Sequence, residues 1–437
     1  MTETATTQTT TGADPRRCGC PDFTMSRRRL LAGAAAGTGT LAAGQLFGDA
    51  FRQVSYGAAP DGNVVVVLSF RGGSDGLSIV VPKDDLTFLT KVRPDLVVPN
   101  AALVGGNASW GLHPALAPLV PMWNAGTFGA VHGAGLPQPN RSHFEAMEVV
   151  EEANPGSNAR VGWINRMIGL DTNALPEEQI QLGNSMLPTA LAGPAAALGA
   201  RVVDDFQIPS IGSWMESSSQ VKKSQKKIWG GKGTAMNRGF QTALASVSRL
   251  APAVDLANND AGYPDGPLKG VLSNTARLIK AKVGAKMVAV DYGDWDMHTG
   301  LGKPQAGGWM YDHLDHFAKA VKAFFDDLGA DADRVTVVTI SEFGRRVAQN
   351  GSGGEAGVDH GYGNAMLVLG AGVNGGDVRG GPWLPLSDTS LNQGDVPLVN
   401  DYRHVLWEVI MKRQALGNAD RQKVFPGLTQ KAVGVMV

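Results

Sequence analysis

Continuous runs of β-branched and aliphatic residues constrain the fold of this chain most strongly. Two such runs are VVVVL at 64–68 and VTVVTI at Val335–Ile340. A strand with one face in water alternates apolar and polar residues, whereas a strand covered on both faces does not. Both runs therefore predict central strands of a parallel sheet with helices packed on each side.

Strand and helix patterns alternate along the rest of the chain. Helical patterns cover 113–126, 142–152, 270–282 and 314–328, and shorter apolar strands cover 128–131, 287–290 and 365–369. This alternation predicts an α/β fold, a doubly wound and mainly parallel sheet flanked by helices. A polar segment at about 209–264, rich in Ser, Lys and Gln, interrupts the pattern and predicts a helical insertion.

The N-terminal segment carries an export pattern. Arg27, Arg28 and Arg29 precede a weakly hydrophobic, Gly- and Ala-rich stretch, which is typical of a twin-arginine signal. We predict an extension and signal peptide over residues 1–57, with translation starting at Met1 or Met25. Residues 58–437 then form a single domain in the periplasm or outside the cell. The stretch contains too much Gly and Thr for a stable membrane anchor across ~30 Å of hydrocarbon.

Cysteine content and charge exclude several functions. Cys18 and Cys20 both precede the signal stretch, so the mature chain has no thiol for disulfides or metal ligation. Thirty-nine Lys and Arg residues oppose 40 Asp and Glu residues, giving a formal net charge of -1. A chain without a basic field is a poor ligand for phosphate backbones, so we expect no nucleic-acid partner.

Carboxylates and histidines follow several of the predicted strands. In chain order they are Asp75, Asp294, Asp296, His298, Glu342, Asp359 and His360. The carboxyl ends of parallel strands share one edge of a sheet, where ligands bind. Carboxylate oxygens suit hard cations and imidazole suits zinc or manganese, so this set predicts one or two divalent ions: zinc, calcium or manganese. The alternative for Asp75, Asp294 and the Asp359-His360 pair is an ordinary turn.

A second polar group stands at the start of the predicted helix 142–152. The amide groups and dipole of a helix N-terminus, with Arg141 beside them, form a cradle for an oxyanion. This setting predicts Ser142 as a metal-activated nucleophile and Arg141 as its countercharge. The alternative is a capping box, in which Ser142 and Glu145 cap the helix and His143 lies on its surface.

These motifs resemble the family known as domain of unknown function 1501, which is distantly similar to sulfatases and alkaline phosphatases. The segments that carry the resemblance are FRGGSDGL at 70–77, NRSHF at 140–144, WDMH at 295–298, SEFGR at 341–345 and DHG at 359–361. The resemblance implies an alkaline phosphatase-like sheet with a metal site at its carboxyl edge. It also implies ligand roles for Asp75, for Asp294 or Asp296 with His298, and for His360.

Two departures from that superfamily bear on activity. Phe343 stands where the superfamily has the histidine of an Asp-His pair, with Glu342 in place of the aspartate. Pro137 stands at the nucleophile position of the sulfatase motif. Two hypotheses follow from the resemblance. One is an exported metal-dependent hydrolase of a small sulfate or phosphate ester, and the other is a catalytically inactive exported protein that binds a protein partner.

Overall fold

The computed structural model describes residues 62–207, 223–224, 227–229 and 234–437. The predicted signal lies outside these residues, and so does much of the predicted insertion at 209–264. The domain boundaries therefore stay predictions. Of the insertion, the structure describes one long helix, Ala235–Asp255. No helix in the described part of the chain is long and apolar enough to cross a membrane.

Strands and helices alternate through the described residues. The strands are β1 Val64–Phe70, β2 Val80–Pro82, β3 Trp110–Leu112, β4 Phe128–Gly135, β5 Gln179–Leu182, β6 Leu198–Ala200, β7 Met287–Tyr292, β8 Val335–Ile340, β9 Asn364–Gly370, β10 Val378–Arg379 and β11 Asn400–Asp401. The α-helices are α1 Gly76–Ile79, α2 Leu86–Val92, α3 Val120–Asn124, α4 His143–Glu152, α5 Trp163–Ile168, α6 Ala235–Asp255, α7 Pro267–Lys280, α8 Trp309–Leu328, α9 Tyr402–Arg413 and α10 Arg421–Val424.

Nine strands of the described chain form one sheet, in the order β10-β4-β9-β8-β1-β7-β5-β6, with β11 also paired to β4. Strand β1 lies at its centre and runs parallel to β7 and β8. Strand β9 runs antiparallel to both of its neighbours, β4 and β8, and the other pairs in the sheet are parallel. The predicted α/β fold with a mainly parallel sheet is confirmed.

The sheet is covered on both faces, as the continuous apolar runs predicted. In β1, Val64, Val66 and Leu68 face one hydrophobic core, and Val65 and Val67 face a second. Helices α6, α7 and α8 contribute to the first core, whereas α4, α5, α9 and α10 contribute to the second. Each β1 side chain loses its contact with water, which stabilises the fold by ~1.5–3 kcal/mol for a valine or leucine.

The topology gathers distant segments at one edge of the sheet. The parallel strands β1, β7 and β8 end side by side, since Phe70 pairs with Tyr292 and Ser69 pairs with Ile340. Strand β4 runs in the same direction and ends beside the start of β9, where Ala134 lies opposite Asn364. The residues after β1, β4, β7 and β8 and those just before β9 therefore meet at this edge.

Candidate metal centre

Three histidines and one aspartate converge at this edge of the sheet. His143 opens helix α4, Asp296 and His298 lie in the loop after β7, and His360 lies just before β9. One ligand atom from each of the four lies within 4.8 Å of the others. Over the described residues these four form the group that could hold a metal ion.

The facing atoms are the Nε2 atoms of the imidazoles and the carboxylate of Asp296. The Nε2 atom of His360 lies 2.8 Å from that of His143 and 2.9 Å from that of His298. Asp296 Oδ1 lies 3.1 Å from His298 Nε2 and 3.3 Å from His360 Nε2. Asp296 Oδ2 lies 3.3 Å from His143 Nε2.

Each imidazole is tied on its opposite side by its Nδ1 atom. His143 Nδ1 pairs with Glu342 Oε1 at 3.0 Å, and His298 Nδ1 pairs with Asp359 Oδ1 at 2.7 Å. His360 Nδ1 lies 2.7 Å from the carbonyl oxygen of Arg141. Carbonyl and carboxylate oxygens accept, so each Nδ1 carries the hydrogen. In the neutral ring the Nε2 lone pair then points into the cluster.

This arrangement fits a tetrahedral cation. The Nε2 lone pair of His360 faces those of His143 and His298, and the Asp296 carboxylate faces all three imidazoles. Such lone pairs repel unless a proton or a cation lies between them. Zinc binds imidazole nitrogen at ~2.0–2.1 Å, so a regular tetrahedron of ligands has edges of about 3.3 Å. The separations of 2.8–3.3 Å between His360 and the other two imidazoles, and between Asp296 and all three, approach this size. Three nitrogens match zinc better than calcium, which takes 6–8 oxygens.

A proton is the alternative occupant of the cluster, and the histidines differ in how they hold one. The hydrogen bond to Glu342 raises the pKa of His143, although burial opposes the shift. Burial lowers the pKa of His360, with smaller contributions from the positive charges of His143 and Arg345. A proton on His143 can therefore bridge to His360 when no cation is bound. Because a metal must displace such a proton, binding is expected to weaken at acidic pH.

Glu342 and Asp359 stand behind the ligands. Glu342 is buried and also accepts a hydrogen bond from the Gly72 amide at 2.8 Å. Burial alone would raise the pKa of Glu342, but its hydrogen bonds to His143 and to backbone amides lower the net pKa. Asp359 also accepts from Asn350 Nδ2 at 2.8 Å. Such carboxylates fix the ring orientation and the tautomer of liganding histidines.

Arg345 lies buried beside the cluster and links the loops that carry it. Its buried guanidinium donates to Asp296 Oδ1 at 2.8 Å. It also donates to four backbone carbonyls from three chain segments, those of Gly72, Gly73, Trp295 and Val358. Partial burial raises the pKa of Asp296, but the hydrogen bond and charge of Arg345 outweigh it, and the net pKa is lowered. Asp296 is therefore ionised at neutral pH.

Glycine is required where the β1 loop meets the Asp296 loop. Gly72 has φ +117°, which L side chains rarely adopt, and a Cβ atom there would lie 2.5 Å from the Asp296 amide nitrogen. The close approach lets the Gly72 amide reach Glu342 and the Gly72 carbonyl reach Arg345. The glycine-rich sequence after β1 thus serves the packing of the cluster.

Phe343 packs under the histidines without coordinating. Its ring centroid lies 4.9 Å from that of His143 and 4.7 Å from that of His360. The resemblance implied that Phe343 removes a ligand. The third imidazole of the cluster comes instead from helix α4, as His143.

Asp75 and Asp294, two of the predicted ligands, are not members of the cluster. Asp75 is buried in an ion pair with Arg93 Nη1 at 2.7 Å and accepts from Ser78 Oγ at 2.5 Å. Asp294 is exposed and has φ +66°, the left-handed conformation that aspartate tolerates in turns. This geometry fits the turn alternative for Asp294.

Ser142 and Arg141 lie beside the cluster at the start of α4. Ser142 is the exposed N-cap residue, but its side chain makes no capping hydrogen bond, so the capping-box alternative is wrong. Arg141 forms an ion pair with the buried carboxylate of Asp395. Its guanidinium is thus engaged, although 40% of the side chain remains exposed.

Sequence reasoning missed one residue of the cluster, His143, and one residue that supports it, Arg345. His143 was not among the predicted ligands, and the capping-box alternative put it on the helix surface. It lies in the NRSHF segment that carried the family resemblance, and that was the available signal. Arg345 lies in the SEFGR segment, but no sequence pattern indicates that a buried arginine would bind four carbonyls.

One segment of the chain matches a known family. Residues 274–382 match the family model of "Protein of unknown function (DUF1501)". The resemblance to this family is thereby confirmed over the segment that contains Asp296, His298 and His360. A comparison with curated protein sequences gave no match.

Two solved structures share a limited similarity with this chain. The C-terminal periplasmic domain of EcEptC from Escherichia coli, in complex with Zn, is 10% identical, with a TM-score of 0.31, over 75% of this chain and 76% of that chain. Alkaline phosphatase from the Antarctic bacterium TAB5 is 11% identical, with a TM-score of 0.27, over 72% of this chain and 93% of that chain. These scores are low, and the sheet order and the ligand geometry stand without them.

Proposed function

We propose that this protein is an exported hydrolase with a mononuclear zinc centre, acting on sulfate or phosphate esters. The observation that carries the proposal is the convergence of three Nε2 lone pairs and the Asp296 carboxylate, with each imidazole fixed through Nδ1. His143, Asp296, His298 and His360 would hold the ion. A bound zinc ion polarises an ester oxygen and makes a nucleophile available at neutral pH.

The protein's own residues supply the rest of the chemistry. Glu342 and Asp359 hold two of the rings in the liganding orientation, and Arg345 neutralises the charge of the Asp296 carboxylate. Ser142 lies one residue before a ligand, at the N-terminus of α4, and its hydroxyl is not used as a helix cap. In this proposal Ser142 is the nucleophile, at a position where the helix dipole favours an anion. The exposed part of Arg141 provides positive charge nearby.

The test combines elemental analysis with an ester panel. Purified mature protein is expected to contain one zinc per chain, and His298→Ala is expected to lose both the zinc and any hydrolysis of aryl sulfates or phosphates. The matched control is His404→Gln, because His404 is a buried histidine on α9 that bonds the Thr429 carbonyl instead of the cluster. A wild-type protein that folds without stoichiometric metal refutes the proposal.

A second function is favoured by one feature of the cluster. Structural zinc sites have four protein ligands, whereas catalytic sites commonly have three and keep one position open. Four ligands are present here, as expected for an inactive exported protein that uses the ion only for stability. Zinc binding without activity on any ester would support this second function.

Export by the twin-arginine route, to the periplasm or beyond, is part of the proposal. The paired arginines before a weakly hydrophobic stretch support it. The double variant Arg27→Lys, Arg28→Lys is expected to remain inside the cell. Cell fractionation and immunoblotting would measure its location.

A further inference from the structure

Asp296 is held differently from the three histidines. Each histidine is anchored through Nδ1, on the side away from the cluster. Asp296 instead uses the same oxygen, Oδ1, for two purposes: it faces two of the imidazole nitrogens and also accepts from Arg345 Nη2 at 2.8 Å. This oxygen is therefore shared between the metal position and a buried cation.

Arg345 does not depend on Asp296 for its position. Four backbone carbonyls bind its guanidinium, and its side chain is 1% exposed. Among the ion pairs of the described residues, Asp296 is the carboxylate that Arg345 contacts. A buried guanidinium keeps such a partner, because an uncompensated buried charge is costly. Asp296 can thus leave the ion without losing its own countercharge.

The open side of the cluster is the side of Asp296. The side chains of Asp296 and His298 are 46% and 43% exposed, whereas those of His143 and His360 are 28% and 20% exposed. An incoming ligand therefore meets Asp296 before it meets the two better covered imidazoles.

We propose that Asp296 is an exchangeable ligand, which an incoming oxyanion displaces from the ion and which Arg345 then retains. The three histidines remain as the permanent ligands. The inference rests on the proposed zinc centre, and it explains how a site with four protein ligands can open one position for an anionic ester. No bond to carbon, sulfur or phosphorus changes in this exchange.

The test compares two variants that each remove one negative charge beside His298. Asp296→Asn weakens the exchangeable ligand, whereas Asp359→Asn is the matched control, because Asp359 is similarly exposed but binds the far nitrogen of the same ring. Asp359→Asn is expected to lower zinc affinity by about 10–100-fold, as the loss of an orienting carboxylate does. Asp296→Asn is expected to lower zinc affinity as well, because it weakens a direct ligand. At saturating zinc, calorimetry with inorganic phosphate is expected to give binding at least about tenfold tighter for Asp296→Asn than for Asp359→Asn, since only the first weakens the competing ligand.

The outcomes separate the inference from the proposed function. Equal phosphate affinity in the two variants would overturn the exchange, and so would an Asp296→Asn protein that folds but binds no zinc. A second measurement needs no variant: phosphate is expected to change the visible absorption of the cobalt-substituted wild-type protein without releasing the metal, and an unchanged spectrum at saturating phosphate overturns the exchange. A wild-type protein that binds no zinc would instead refute the proposed zinc centre.

Discussion

His132 makes the stability of the fold sensitive to mildly acidic pH. It lies in β4 and is 2% exposed. Its Nε2 atom donates to the Val80 carbonyl at 3.1 Å, and its Nδ1 atom accepts from the Gly133 amide at 2.9 Å. A second proton on Nδ1 would remove this last bond and bury a charge. Burial lowers the pKa of His132 from 6.5 to about 4, although the bond to Val80 opposes the shift.

The sign and size of the effect follow from these pKa values. The unfolded chain takes up the proton near pH 6.5, and the folded protein takes it up only near pH 4. The stabilisation is therefore fully present above about pH 6.5 and is lost as the pH falls toward 4. Since one pH unit corresponds to ~1.4 kcal/mol, His132 accounts for about 2 kcal/mol of lost unfolding free energy between pH 7 and pH 4.5.

Urea unfolding of wild type and His132→Gln, in chelator at pH 7 and at pH 4.5, measures this contribution. Glutamine replaces the hydrogen-bonding imidazole with an amide that does not titrate, so the stability advantage of the wild type should shrink by about 2 kcal/mol at the lower pH. Burial also lowers the pKa of His113 to about 4. His113 is present in both proteins, so its contribution to the unfolding free energy cancels in the comparison. A gap between the two proteins that does not change with pH would refute the reasoning.

Three further substitutions probe the metal centre. Glu342→Gln should lower zinc affinity about 10–100-fold by weakening the hold on His143, as a chelator competition would show, and an unchanged affinity would exclude this orienting role. Phe343→Ala should lower the unfolding free energy of the metal-free protein by ~3–5 kcal/mol in urea, since it empties a buried site, and a loss below ~1 kcal/mol would contradict the packing. Gly72→Ala should lower zinc affinity in the same competition by pushing on the Asp296 amide, and wild-type affinity would disprove that close approach.

The sequence predicted the sheet better than its strand directions. Strands β1 and β8 are recognisable because their side chains are buried on both faces, and that burial requires an unbroken apolar run. Strand β9 has the same kind of run, AMLVL at 365–369, but it is antiparallel. The direction of a strand depends on how the chain connects it to its neighbours in the sheet. The amino-acid composition of the strand does not indicate that connection.

The sequence predicted which loops carry the site, but it did not predict which side chains pair with one another. His298 and His360 stand near strand ends, where the edge rule places ligands. Asp75 stands at a strand end as well, but it pairs with Arg93 at the end of α2, and only the tertiary fold brings those two residues together. His143 begins a helix, where local patterns favour a surface position, and only the tertiary fold turns it inward.

If the cluster holds zinc as proposed, the long separation of its ligands in the chain makes metal capture a late event in folding. His143 and His360 are 217 residues apart in the chain, and they meet only when β9 lies between β4 and β8. Contacts between such distant residues close slowly, because a long loop must be ordered first. A nascent chain that ends before residue 360 lacks one of the three imidazoles. Zinc retention would therefore distinguish a completed sheet from any partly synthesised or partly folded form.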